Sequence, residues 1–190
     1  MTGRTTYYCA TSLDGFIAEA DDALEWLTDY EGSYEGPDAQ PMKGDYDRFY
    51  EGVGAMVSGS TTYEWVLDNL SEWPYPNKPF WVLTSREPRF PGGDGVDVRF
   101  ARGTVRELHP ELLDAAGEGN VWVIGGGNVA SQYADARLLD EVIATVVPVV
   151  LGKGKPLFAR RLQGGPMRLA GTRTFDSGMV ELRYGLERSA

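Results

Sequence analysis

The sequence predicts an α/β domain that closes on an antiparallel edge, and three observations predict it. Short apolar runs alternate with amphipathic stretches over most of the chain, the arrangement of an α/β fold rather than of a block of strands followed by a block of helices. Two of the amphipathic stretches open with a hydroxyl residue and a Glu three positions later, the capping-box signature of a helix start. After Pro148 the pattern changes to strand-like alternation on both sides of Asp176-Ser177-Gly178, which reads as a hairpin.

Taken in order, residues 5–10 form a first strand of hydroxyl, aromatic and small residues. A helical stretch spans 45–52, followed by a strand at 55–58 and a helix at 61–69 opened by Thr61 and Glu64. Strands at 79–84 and 96–100 precede a helix at 104–116 opened by Thr104 and Glu107. A strand at 121–124, a helix at 129–134 and a strand at 142–147 complete the alternating part. Residues 169–175 and 179–186 are the hairpin arms, and 29–42 and 87–94, rich in Gly, Pro and acidic residues, read as surface loops. With no internal repeat and a length that supports one core without staples, residues 1–190 are expected to form a single domain.

Composition narrows the partners. Formal net charge is −10, and the stretch from Thr5 to Met42 holds nine acidic residues, Asp14 to Asp38, without a Lys or Arg. Such a surface repels nucleic acid and anionic membranes. It is either a solvated acidic loop or one wall of a pocket that disfavours strongly anionic substrates. Cys9 is the only cysteine, no apolar run is long enough to span a bilayer, and Met1-Thr2-Gly3-Arg4 leads straight into strand. A cytoplasmic protein acting on a small molecule, with no nucleic-acid or membrane partner, is the expectation.

Chemistry gathers at strand ends. The buried-strand pattern Val121-Trp122-Val123-Ile124 stops at Gly125-Gly126-Gly127-Asn128, and helix resumes at Val129. A glycine turn into a helix N-terminus lets the backbone approach an anion and aims unpaired N–H groups at it; the alternative is an ordinary tight turn. Gly125 to Ala130 also fits the relaxed dinucleotide fingerprint, but two-thirds along the chain rather than at the first strand, which points to a nucleotide fold other than Rossmann. Gly59-Ser60-Thr61-Thr62 offers hydroxyls and free N–H groups at a second helix start. Thr84-Ser85-Arg86 adds two hydroxyls and a guanidinium, Arg86 being suited to the 2′-phosphate of NADPH. The single His109, expected at the surface, and the single Cys9 supply no familiar zinc site and no Ser-His or Cys-His pair, and no nucleophile elbow is present. No metal is expected, and chemistry must come from a cofactor.

These residues resemble the dihydrofolate-reductase-like superfamily, and more closely the reductase domain of the bifunctional riboflavin-pathway deaminase-reductase. The resemblance runs nearly end to end. It is carried by Ser12-Leu13-Asp14-Gly15-Phe16-Ile17-Ala18, Gly59 through Glu64, Lys78-Pro79-Phe80 leading to Thr84-Ser85-Arg86, Val123-Ile124-Gly125-Gly126-Gly127, Leu138-Leu139-Asp140-Glu141, and the segment from Pro148 through Leu151-Gly152-Lys153-Gly154-Lys155-Pro156 to Phe158. It implies a mainly parallel twisted sheet flanked by helices, NADPH as hydride donor and a homodimer. The implied cofactor set is Ala10, Gly59, Ser60, Thr61, Thr62, Thr84, Ser85, Arg86, Ile124, Gly125, Gly126, Gly127, Asn128 and Val129. Where relatives carry a glycine-arginine pair this chain has Gly59-Ser60, one cationic contact fewer. Dihydrofolate reductases similarly place a carboxylate on the first long helix, for which Asp45, Asp47 and Glu51 are the candidates.

On the substrate side the expected residues are Asp14, Phe16, Trp26, Phe49 and Tyr50. Asp14 either caps its own turn or, facing the nicotinamide with a pKa raised by partial burial, supplies a proton. Two functions stay open: an NADPH-dependent reductase of a C=N or C=O bond in a small planar pterin-, pyrimidine- or related substrate, and a non-catalytic module that binds or senses NADPH.

Overall fold

The computed structural model describes residues 3–186, and in it the alternating runs become one layered α/β sheet. In chain order the elements are β1 (Thr5–Ser12), β2 (Phe16–Ala18), α1 (Glu25–Thr28), β3 (Ala39–Gln40), α2 (Asp45–Glu51), β4 (Val53–Gly59), α3 (Ser60–Asn69), β5 (Phe80–Leu83), β6 (Val98–Ala101), α4 (Val105–Ala116), β7 (Asn120–Gly125), α5 (Gly127–Asp135), β8 (Glu141–Val147), β9 (Lys155–Pro156), β10 (Arg168–Phe175) and β11 (Val180–Gly185). The nine-stranded sheet runs β3-β10-β11-β8-β1-β7-β4-β5-β6. Every pair from β8 across to β6 is parallel, whereas β11 is antiparallel to both β8 and β10. The expected hairpin is therefore present, and outside it the two-residue β3 adds a parallel rim on β10.

The central strands are buried on both faces because parallel crossovers place helices on each side. Alternation sends Tyr7, Ala55, Val57, Val121 and Val123 to one face, where α4 and α5 contribute Leu108, Leu112, Val129, Ala130 and Tyr133. Met56, Phe80, Val82 and Trp122 go to the other, against Tyr63 of α3 and Phe49 and Tyr50 of α2. Trp73 and Tyr75 pack edge-on there at 5.4 Å, and Trp73 meets Phe80 at 5.0 Å. Lys78 closes the C-terminal end of α2: its Nζ donates to the carbonyls of Tyr50 and Val53 and lies 4.6 Å from the Tyr50 ring. Among the described residues no helix is long and apolar enough to cross a membrane.

Four elements escape a reading based on periodicity. β2, β3, β9 and α1 have two to four residues each, too few to carry a period, and the three strands exist because a distant segment pairs with them. Of the two expected capping boxes, that of Thr104 and Glu107 is present, with Glu107 Oε2 accepting the Thr104 N–H at 2.7 Å. The box at Thr61 is corrected: α3 begins one residue earlier, with extended Gly59 as N-cap and no side-chain cap, and Glu64 turns instead to Arg86. His109 is also corrected. It is 6% exposed on α4, edge-to-face with Tyr133, because its position in the helix repeat faces the sheet rather than solvent.

The antiparallel end is fastened to α2 by charge. Arg173 of β10 holds Asp45 of α2 through two hydrogen bonds of 2.6 and 2.8 Å, and holds Glu181 of β11 through two more of 2.9 and 2.6 Å. Arg183 adds a 2.7 Å contact to Glu181, and Arg48 a 3.1 Å contact to Asp45. Arg173 and then Arg48 hold the Asp45 carboxyl below its usual range despite its burial. Glu181 is 1% exposed, so the guanidinium is what makes its burial tolerable.

Removal of one partner from such a network leaves buried charge uncompensated. Arg173→Ala is expected to lower unfolding free energy by about 3–5 kcal/mol, and urea or thermal unfolding measures it. The sign for pH follows from the depressed Asp45 pKa: its contribution is complete above the unfolded carboxyl pKa of about 3.9 and is lost as pH falls through the folded value. The stability gap between wild type and Asp45→Asn should stay constant from neutrality down to about pH 5 and shrink in stronger acid.

Candidate functional site

β4 and β7 are parallel neighbours with Ser58 opposite Gly125, so they end side by side. Each passes directly into a helix: β4 through Gly59 (φ −87°, ψ 166°) into α3, and β7 through Gly126 (φ −81°, ψ −173°) into α5. A glycine N-cap has no side chain to accept the first-turn N–H groups, and among the described residues neither helix has a side-chain cap. Two uncapped N-termini thus meet at one edge of the sheet, whereas α4, farther along, is fully boxed. They touch, since a Cβ on Gly59 would stand 3.2 Å from Val129 Cγ2.

Gly125 and Gly126 put bare backbone in front of these N-termini. The peptide between them is cis, and Gly125 has φ +149°, a region side chains rarely adopt. A Cβ on Gly126 would lie 3.7 Å from Thr62 Oγ1 and 3.9 Å from Ile17 Cδ1, so turn, α3 and β2 enclose one space. Behind the turn there is no room. A Cβ on Gly127 would come within 2.2 Å of the Pro156 carbonyl and 2.8 Å of that of Leu157. Ser131 Oγ donates to the Gly127 carbonyl at 2.7 Å and accepts the Ala159 N–H at 3.0 Å, while Tyr7 OH donates to the Leu157 carbonyl at 3.1 Å. The first turn of α5 is fixed from behind and open in front.

A second space of about 320 Å³ lies at the ends of β5 and β6, lined by Thr84, Arg86, Glu87, Pro88, Phe100 and Arg102. Arg86 donates its N–H to Thr84 Oγ1 at 3.1 Å, and its guanidinium reaches Glu64 of α3 at 3.4 Å. Ser85 is exposed beside it. Phe100 and Arg102 escape sequence reading. Their i, i+2 spacing is visible, but the register of Leu83 with Ala101 that sets them beside Thr84 is not.

The remaining residues divide between places. Ile124 and Val129 sit on either side of the glycine turn, and Asn128 is exposed with its Oδ1 accepting from Arg160 at 3.2 Å. Thr61 is exposed, while Ser60 and Thr62 are half-buried. Ala10 pairs with Thr145 and packs with Trp26 around Val147 and Phe175. Phe49 instead stacks on Tyr8 at 4.4 Å, and Tyr50 joins Tyr75 and Trp122. Phe16 pairs with Pro156 on the β2–β9 ribbon. The Tyr8 phenol is pushed up to about 12 by burial and by Asp45 and Glu181, so it stays protonated.

Asp14 lacks the raised pKa of its proton-donor alternative and serves the loop instead. Its carboxylate is exposed, accepts from Ser12 Oγ at 2.7 Å and from the Gly152 and Leu151 N–H groups at 2.7 and 3.2 Å, and is held below its ordinary range, first by the Ser12 bond. It pins the turn after β1 to the segment after β8. Asp45 is the carboxylate that the structure places at the start of α2, already bound by arginine, while Asp47 and Glu51 are exposed.

Residues 79–181 match the family model of the RibD C-terminal domain. The chain is 34% identical over 184 residues to the uncharacterized protein YwjB of Bacillus subtilis (strain 168), covering 97% of this chain and 98% of that one. Among solved structures it is similar to a putative riboflavin biosynthesis protein from Shewanella sp. PV-4, with TM-score 0.78, 26% identity and coverage of 97% and 99%. It also shares the fold of the Enterococcus faecalis dihydrofolate reductase complexed with NADP(H) and RAB-propyl, with TM-score 0.63, 19% identity and coverage of 98% of each chain.

Gly126 and Gly127 make separable predictions for the protein without ligand. Gly126→Ala meets only ordinary van der Waals neighbours at negative φ, so thermal unfolding should stay within about 1 kcal/mol of wild type. Gly127→Ala drives a methyl into two backbone carbonyls and should destabilise by about 1–3 kcal/mol or more.

Proposed function

The chain belongs to the RibD C-terminal domain family, and on that premise we propose that it is an NADPH-dependent reductase of a small planar pterin-, pyrimidine- or related substrate, acting as a single-domain cytoplasmic enzyme and as a homodimer. The observation that carries this reading is the pair of uncapped helix N-termini side by side at the bare backbone of the Gly125-Gly126 turn. That arrangement suits a pyrophosphate: its oxygens take the first-turn N–H groups of α3 and α5, and the favourable ends of two helix dipoles face its charge. A fixed back wall at Gly127 preorganises the donors, so less ordering is needed on binding.

The residues divide the labour. Gly125 to Val129 with Gly59 to Thr62 hold the pyrophosphate, and Thr84, Ser85 and Arg86, with Arg102, hold the 2′-phosphate end. Phe100, 40% exposed, offers a ring face for the base. Ala10, at the end of the central strand, and Ile17 line the approach to the nicotinamide. When bound, NADPH would supply a hydride to the carbon of a C=N or C=O bond, the proton for the nitrogen or oxygen coming ultimately from solvent. The chain's own task is to align two rings, exclude water and keep the substrate carbon facing the donor. Asp14, held ionised, carries the loop rather than a proton in this scheme. Ser60, in place of an arginine, favours a second reading, a module that binds NADPH without turnover.

Oxidation of NADPH followed at 340 nm with a panel of imines and quinoid ring compounds separates the two readings: turnover is expected, and binding without turnover on every compound favours the second. Arg86→Ala should erode a preference for NADPH over NADH by about ten- to a hundredfold, the worth of a charge-assisted bidentate contact; an unchanged ratio removes Arg86 from the site. Gly126→Val should fold normally yet lose NADPH quenching of tryptophan fluorescence. Sedimentation equilibrium is expected to give twice the chain mass of 20.9 kDa.

A further inference from the structure

We infer that Glu64 is an internal counter-ion for Arg86 that competes with the cofactor's 2′-phosphate and so sets how strongly the protein distinguishes NADPH from NADH; this rests on the cofactor reading above. The segment after β5 lies along α3 and is held to it at successive turns of the helix. Arg86 Nη1 meets Glu64 Oε2 at 3.4 Å, Arg89 meets Asp68 at 2.5 Å, and Tyr63 OH donates to the Arg89 carbonyl. The two ion pairs differ in kind. Arg89–Asp68 is short and is backed by the Tyr63 hydrogen bond to the same residue, so it fixes the backbone. Arg86–Glu64 is long and single-point, with the Arg86 side chain 66% exposed and beside the cavity that Thr84, Phe100 and Arg102 line.

A pair of that geometry is weak and easily exchanged. A phosphate dianion offers Arg86 two parallel hydrogen bonds and twice the charge, and it displaces a carboxylate held by one long contact. The carboxylate still exacts a cost, because binding must first break the resident pair. A 2′-hydroxyl gives Arg86 no reason to leave Glu64, so NADH binds without touching it. Glu64 therefore lowers affinity for the phosphorylated cofactor selectively. Its effect is larger here than it would be in a chain with a second cation at position 60, where this protein has Ser60.

Fluorescence titrations with NADPH and with NADH on wild type, Glu64→Gln, Arg86→Ala and the double variant test the inference. Glu64→Gln is expected to tighten NADPH roughly two- to fivefold and to leave NADH unchanged, and to have no effect once Arg86 is alanine. Its thermal unfolding without cofactor should match wild type, since the Arg89 and Tyr63 contacts remain. If Glu64→Gln weakens NADPH, leaves it unchanged, or tightens NADH equally while Arg86→Ala still lowers the NADPH preference, the counter-ion role is overturned and the cofactor reading survives. If wild type titrates with neither cofactor, the reading itself fails and the inference with it.

Discussion

Parallel pairing of β4 with β7 inside the sheet is the constraint from which the site follows. Two parallel neighbours must leave the sheet at the same edge, and each must return by a crossover because no hairpin can join parallel strands; after β4 and after β7 that crossover is a helix. Their helices consequently start side by side. What the sequence adds is a glycine at each start, Gly59 and Gly126, where a Ser, Thr or Asp would have satisfied the first-turn donors internally. α4 shows the contrast within the same molecule: it follows the edge strand β6, and Thr104 and Glu107 close its N-terminus with a reciprocal capping box.

The open donors would be of little use on a mobile frame. Gly127 is wedged against the carbonyls of Pro156 and Leu157, and Ser131 links the same turn to Ala159. The segment that does this also pairs with β2 and, through Leu151 and Gly152, receives Asp14. One strap thus fixes both the glycine turn and the loop after β1. On the far side of the sheet Arg173 plays a comparable part, joining α2, β10 and β11 through Asp45 and Glu181. Because that network consumes the Asp45 carboxylate, the helix that bears Phe49 is positioned by charge at its first turn, and its remaining carboxylates, Asp47 and Glu51, lie exposed.

The sequence is informative where a signal is local. The strand-turn-helix passages at Gly59 and at Gly125 to Asn128, the Thr104 box and the hairpin about Ser177 are each written within a few consecutive residues, and the fold contains those elements. Illegible features depend on partners far along the chain. Ile17 faces Gly126 across a hundred residues, Glu64 reaches Arg86 only because the loop lies back on α3, and Arg102 joins Thr84 through strand register. The same reason explains the misreadings. Thr61 and Glu64 fit a capping box in spacing, but Arg86 offers Glu64 an alternative and Gly59 starts the helix first. Asp14 has the residue type of a proton donor, yet Ser12 and two backbone N–H groups hold it ionised.

Most of the functional account stands on one claim, that the first turns of α3 and α5 together bind the pyrophosphate of NADPH. Amide hydrogen exchange with and without NADPH tests it without relying on turnover or on any substitution. The account predicts new protection concentrated at residues 59–62 and 126–129, with α4 unchanged. Protection confined to other segments, or none at saturating NADPH, would contradict it.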